Sequence, residues 1–93
     1  MDAVPIFIRK IKSADGAITE MEIYQLPEPD KYRPHGIKYR LYYGRAGKNL
    51  VRYDNHPGKG DHKHIGEREE AYAFVSVEKL IEDFFADVEE ASK

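Results

Sequence analysis

Between Tyr53 and His64 the chain reads Tyr-Asp-Asn-His-Pro-Gly-Lys-Gly-Asp-His-Lys-His, which gathers three of its four histidines, two lysines and two aspartates into twelve positions. Imidazole is the side chain that both gives and takes a proton near neutrality, with an ordinary pKa of about 6.5, and it is also the commonest metal ligand. Metal-independent RNA cleavage needs these groups: a base for the 2'-hydroxyl proton, an acid for the leaving oxygen, and cations for the phosphoryl charge. The expected proton-transfer pair is His62 and His64, with Asp61 or Asp54 orienting an imidazole. The expected phosphate-facing cations are Lys59, Lys63, Arg40 and Arg52, with Lys38 beside them. Tyr42 and Tyr53 are candidate stacking faces for unpaired bases. Gly58 and Gly60 would let backbone amides approach an anion.

Two other readings use the same residues. His62 and His64 are two apart on an extended chain and so face one way, which would let them clamp a metal ion with His56, Asp54 or Asp61 as a third ligand. No H-E-x-x-H pattern or cysteine pair accompanies them, and the reading adopted here assigns no metal and no cofactor. A binding module without catalysis would use Lys38, Arg40, Tyr42 and Arg52 to hold nucleic acid or a protein. Gly58-Lys59-Gly60 lacks the spacing of a nucleotide-binding P-loop and opens no helix. Set against all three is a long polar loop with solvated side chains.

The elements that must position these residues are legible from periodicity. Val4 to Ile11 is rich in strand formers, and Asp15-Gly16 marks a tight turn. Ala17 to Leu26 alternates, with Thr19, Met21 and Ile23 on one side and Glu20, Glu22 and Tyr24 on the other. Pro27, Pro29 and Pro34 make Pro27 to Gly36 a loop. Ile37 to Tyr43 alternates again, with Ile37, Tyr39, Leu41 and Tyr43 on one face and Lys38, Arg40 and Tyr42 on the other. A turn at Gly44 to Lys48 leads into a strand at Asn49 to Tyr53. The histidine loop enters a short strand at His62 to Ile65, and Ala71 to Val75 is the last extended piece. Val77, Leu80, Ile81, Phe84, Phe85 and Val88 recur at helical spacing, with Ser76 as N-cap and Val75 positioned to staple onto Leu80. The expected fold is α+β: an antiparallel meander of about four to six strands with the helix from Ser76 to Ala91 packed on one face.

Composition narrows the class. The 93 residues, 41% hydrophobic and 34% charged, fit a single domain spanning 1–93. The chain has no cysteine, which excludes disulfides, thiol catalysis and zinc ribbons. No apolar run reaches the ~18 residues of a membrane span, and no signal peptide opens the chain, so a cytoplasmic location is expected. Residues 1–64 carry a net charge of +4 and residues 65–93 carry −6. Glu67, Glu69 and Glu70 are read as the start of that acidic surface, and Asp87, Glu89 and Glu90, at the negative end of the helix dipole, as a docking surface.

Arg9-Lys10-Ile11 followed by Asp15-Gly16, the strand Lys38-Tyr39-Arg40-Leu41, Tyr53-Asp54-Asn55, the run Gly58-Lys59-Gly60-Asp61-His62-Lys63-His64, and Tyr72-Ala73-Phe74-Val75-Ser76 resemble the TumE family of toxin-antitoxin modules. The resemblance spans nearly the whole chain, and the Gly-Lys-Gly-Asp-His-Lys-His run is its most specific part. It implies a small cytoplasmic toxin neutralised by a cognate antitoxin, and it supplies no catalytic residues. RNA as the substrate, and ribonuclease activity, are expectations from the residues alone.

Overall fold

The computed structural model describes residues 3–56 and 58–93, so Pro57 of the histidine segment lies outside the described residues. Six strands follow one another in the sheet in chain order: β1 (Val4–Lys12), β2 (Ile18–Gln25), β3 (Ile37–Arg45), β4 (Lys48–Asp54), β5 (His62–Ile65) and β6 (Arg68–Ala71). Every neighbouring pair is antiparallel. The helix α1 (Val77–Ala91) closes the chain and packs against β4. This is the expected α+β meander with its helix on one face.

The local chemistry explains the boundaries. At β3–β4 the strands run further than expected, to Arg45 and from Lys48, because Ala46 and Gly47 both adopt positive φ, 54° and 78°. Two left-handed residues make the tight hairpin whose twist matches its strands. Gly44 has a different role: a Cβ there would come within 2.1 Å of the Tyr42 hydroxyl and 2.5 Å of the Lys48 carbonyl oxygen. The last strand is β6 at Arg68–Ala71, earlier than the expected Ala71 to Val75. A two-residue turn at Gly66-Glu67 suffices to return the chain beside β5. The Ser76 side chain caps α1 by accepting from the Lys79 amide at 3.1 Å. The staple does not form, since Val75 is 73% exposed.

Met21, Ile23, Tyr39, Leu41, Val51 and Tyr53 meet Leu80 and Phe84 of α1 in the core. Polar groups lock this face as well. The Tyr53 hydroxyl donates to the Asp87 carboxylate, which also holds the Lys63 ammonium at 3.1 Å. Tyr72 donates to Asp83 at 2.7 Å, and Lys79 pairs with Asp83 at 3.0 Å. Burial pushes the Tyr53 and Tyr72 phenols well above their ordinary range, and the facing carboxylates push them further. Burial alone would raise Asp83, but the bonds from Tyr72 and Lys79 outweigh it and hold the carboxyl below its usual value.

The acidic helix therefore spends Asp83 and Asp87 on its own sheet, which corrects the expectation that Asp87 belongs to a free docking surface. Removing Asp87 takes the nearest acceptor from a half-buried ammonium and a buried phenol, leaving Glu70 at 3.7 Å for Lys63 and the Asp83 carbonyl at 3.2 Å for Tyr53. Asp87→Ala is expected to cost about 1–3 kcal/mol of unfolding free energy. Glu89→Ala, at an exposed position, should stay within about 0.5 kcal/mol. Urea denaturation of both variants checks the contrast, and equal effects would remove the anchoring role.

Candidate functional site

In an antiparallel sheet, residues paired across strands share a face. Following the register gives one row of Lys10, Glu20, Tyr42, Arg52, His64 and Glu69, and beside it a row of Ile8, Glu22, Arg40, Asp54, His62 and Ala71. Both rows lie on the face opposite α1, because their strand neighbours Met21, Leu41 and Tyr53 form the helix-side core. His62, His64, Arg40, Arg52, Lys38 and Tyr42 are thus brought to one open face from β3, β4 and β5.

His62 and His64 stand with ring centroids 5.2 Å apart. His62 is only 5% exposed. Its Nδ1 lies 3.0 Å from the Gly60 carbonyl, to which it donates, and its Nε2 lies 2.7 Å from Asp54 Oδ1. That second approach is an ion contact off the hydrogen-bond axis, and so is the 3.1 Å approach of Arg52 Nε to Asp54 Oδ2. With Nδ1 committed to a carbonyl, a neutral ring turns the lone pair of Nε2 toward the Asp54 carboxylate, whereas a protonated ring turns an N–H and a positive charge toward it.

His64 Nε2 has a donor on one side and an acceptor on the other. Arg52 Nη2 approaches it at 2.8 Å and Glu69 Oε2 at 2.9 Å. A neutral ring accepts from Arg52, and a protonated ring donates to Glu69. Partial burial, reinforced by the Arg52 charge, holds the His64 pKa below its ordinary value, against the opposing pull of Glu69. Glu69 is itself held below the usual carboxylate range by Lys59, 3.2 Å away.

Four expected site residues sit elsewhere or have other partners. Asp61 does not orient the histidine pair. It accepts from the Tyr39 hydroxyl at 2.7 Å, from His35 Nε2 at 3.0 Å and from Asn55 Nδ2 at 3.1 Å. Asp54 takes the orienting place instead. Lys63 and Tyr53 point to the helix side, where Tyr53 is 0% exposed and offers no stacking face. The reason in all three cases is the pleat, which sends chain neighbours of His62, His64, Arg52 and Asp54 to the opposite side. Lys59 lies at the rim, paired with Glu69. Its surroundings form a shallow hollow of about 300 Å³ that His62, Asp61, Glu69, Glu70 and Ala71 also line.

Arg40 lies 5.6 Å from the Tyr42 ring centre and Lys38 5.9 Å from that of Tyr24. Lys38, Arg40, Glu22 and Tyr24 line a second hollow of about 300 Å³ on the open face. Among the described residues neither Lys38 nor Arg40 is ion-paired. Two groups have ligand atoms within 4.8 Å of one another: Asp54, His56 and His62, and then His62, His64 and Glu69. Asp61 is in neither.

Sequence reasoning ranked Glu69 as ordinary acidic surface and passed over His35 and Asn55. Asn55 is fully buried and continues the β3–β4 pairing with its side chain, donating to the Ile37 carbonyl at 2.7 Å and accepting from the Tyr39 amide at 3.1 Å. The signal for Asn55 was its place directly after the last strand residue of β4, where ladder bonds run out.

The fold and the open face define a small α+β protein with a polar, titratable sheet surface. Residues 6–92 match the family model described as Toxin TumE, and the chain belongs to that family of toxins from toxin-antitoxin modules. No curated protein and no solved structure matches the chain. Membership implies an antitoxin partner. No helix among the described residues is long and apolar enough to cross a membrane.

The His64 environment predicts a titration. In metal-free protein its pKa, read from imidazole proton shifts, should lie below that of an exposed histidine. Arg52→Gln should raise it and Glu69→Gln should lower it further. Because the folded ring binds its proton less readily than the unfolded one, its contribution to stability increases with pH from the folded pKa up to about 6.5 and is constant above. An unshifted His64 in the parent protein would contradict the arrangement.

Proposed function

We propose that this toxin acts on single-stranded RNA by metal-independent transesterification on the open sheet face. His64 Nε2 takes the proton of a 2'-hydroxyl, whose oxygen forms a bond to the adjacent phosphorus. The bond from phosphorus to the 5'-oxygen breaks, and that oxygen receives a proton from His62 Nε2, the ring nitrogen that faces Asp54. The products are a 2',3'-cyclic phosphate and a free 5'-hydroxyl, so no oxidant or co-reactant is needed. Lys38 and Arg40 face the phosphates, and Tyr42 supports an unpaired base.

The observation that carries this reading is the His64 Nε2 atom, set between Arg52 at 2.8 Å and Glu69 at 2.9 Å. It has a partner ready in either protonation state, which is what a group that gains and loses a proton within one turnover requires. The second reading is metal-assisted chemistry, favoured by the two ligand groups that share His62. Its donors are imidazole nitrogen and carboxylate oxygen, a set that suits zinc-like ions. The two readings exclude each other at His62, since an ion on Nε2 displaces the proton that the first mechanism transfers.

Purified protein is incubated with mixed-sequence single-stranded RNA in EDTA. The expected result is cleavage with cyclic-phosphate ends, reduced about a hundred- to ten-thousand-fold in His64→Gln. His64 is the residue to replace because His62 is buried, so its loss would confuse folding with chemistry. Lys38→Ala and Arg40→Ala should each weaken RNA binding and flatten its salt dependence. Cleavage that appears only when zinc or manganese is added would favour the second reading. Binding without cleavage under either condition would leave a non-catalytic module.

A further inference from the structure

The two edges of the sheet are unequal. The β6 edge is four residues long, and its charges are engaged, Arg68 with Glu70 at 3.0 Å and Glu69 with Lys59 at 3.2 Å. It is short and charged, as protected edges are. The β1 edge is nine residues long and pairs with β2 alone. Pro5 and a bulge between Pro5 and Phe7 disturb only its start. Beyond them the strand runs regularly to Lys12, with one side of its backbone unpaired.

The side chains of β1 are unusual for a solvent edge. Val4, Ile6, Ile8 and Ile11 are 62%, 45%, 55% and 36% exposed. Register puts Ile8 on the open face with Glu22, and Phe7, Arg9 and Ile11 on the helix side with Ile23, Met21 and Thr19. The helix packs against β4, three strands away; Phe7 is half-buried against the core, while Arg9 and Ile11 stay exposed. Aliphatic groups stand exposed on both faces of the same edge, so a covering element must reach both faces. A strand laid alongside does this, because its own side chains alternate between the faces.

The charge on β1 selects the occupant. The strand holds Arg9, Lys10 and Lys12 and no acidic residue, and among the described residues none of the three cations is ion-paired. We propose that an extended, acidic and aliphatic segment of the cognate antitoxin adds to the β1 edge as a further strand of the sheet. A second copy of this chain fits less well. Antiparallel pairing would lay each Pro5 bulge against the other's basic half, and parallel pairing would set like charges side by side.

Docking at β1 rests on the antitoxin partner that family membership implies, and it is independent of any reaction. A consequence rests on the RNA reading of the open face. Carboxylates added beside Lys10 and Ile8 would extend the two rows that contain His64 and His62 with negative charge, and would repel an RNA backbone without plugging the histidine site.

The test uses the full chain with the antitoxin of its own module, after growth inhibition by the parent chain and its relief by that antitoxin have been established. Amide hydrogen exchange is measured with and without the antitoxin. Expected is slowing by at least about tenfold at alternate residues from Phe7 to Lys12, the period that strand addition imposes. The Arg9→Glu/Ile11→Glu variant changes only helix-side positions of β1. It should stay toxic, keep its circular dichroism spectrum and lose at least about tenfold in antitoxin affinity. Should the double variant lose its fold, Arg9→Glu alone is read for the same loss. Unchanged β1 exchange with protection at β5 or α1, undiminished affinity of a folded variant, or self-association of the free chain through β1 would each overturn the proposal. An antitoxin that fails to relieve the parent would remove the toxin reading itself, before β1 is tested.

Discussion

A six-stranded sheet has two faces, and the described residues form one helix to cover them. In β2, β3 and β4 the pleat then fixes the character of nearly every residue, because each of these strands sends apolar groups to the helix side and whatever remains to the other. Tyr39, Leu41 and Tyr43 go inward and Lys38, Arg40 and Tyr42 outward. Val51 and Tyr53 go inward and Arg52 outward, which is why β4 can support the core and the candidate site at once. The Tyr53 and Lys63 contacts with Asp87 tie the helix to β4 and β5, so the strands that carry His62, His64, Arg52 and Asp54 are braced from behind.

That bracing matters because the open face carries interactions that tolerate little drift. Asp54 receives His62 on one oxygen and Arg52 on the other, and Arg52 reaches on to His64. Each group's charge depends on its neighbour's. The chain of contacts crosses only two adjacent strands, β4 and β5, before it ends at Glu69 on β6. A slip of one residue in the register of β5 would turn both imidazoles toward the helix and bring Lys63 to the open face. Asp61, at the entry to β5, resists such a slip through its bonds to His35, Tyr39 and Asn55. Its contribution to the site is thus to hold the strand and not to orient a ring.

The architecture was legible in the sequence because it depends on local periodicity. Alternation in β2 and β3, the prolines after β2 and the helical spacing after Ser76 each specify an element from its own residues. The open-face set was half legible. Arg40, Arg52, His62 and His64 share one face, whereas Lys63, Tyr53 and Asp61, expected beside them, are sent by the same alternation to the other side. The period that identified the strands was not carried through to their side chains. Glu69 was missed for a different reason, since nothing local distinguishes it from Glu67 or Glu70, and only the β5–β6 register sets it opposite His64.

The sequence by itself determined the strand segments up to β5, though not β6, where the helix starts, and that the titratable groups concentrate between Tyr53 and His64. These follow from short-range sterics, capping and the spacing of apolar residues. Only the tertiary structure decided that Asp54 and not Asp61 faces His62, that Asp83 and Asp87 are consumed inside the molecule, and that β1 stands at an uncovered edge. Those outcomes depend on strand order, register and the position of one helix over β4. They are set by the free energy of burying a shared core, to which residues far apart in the chain contribute together.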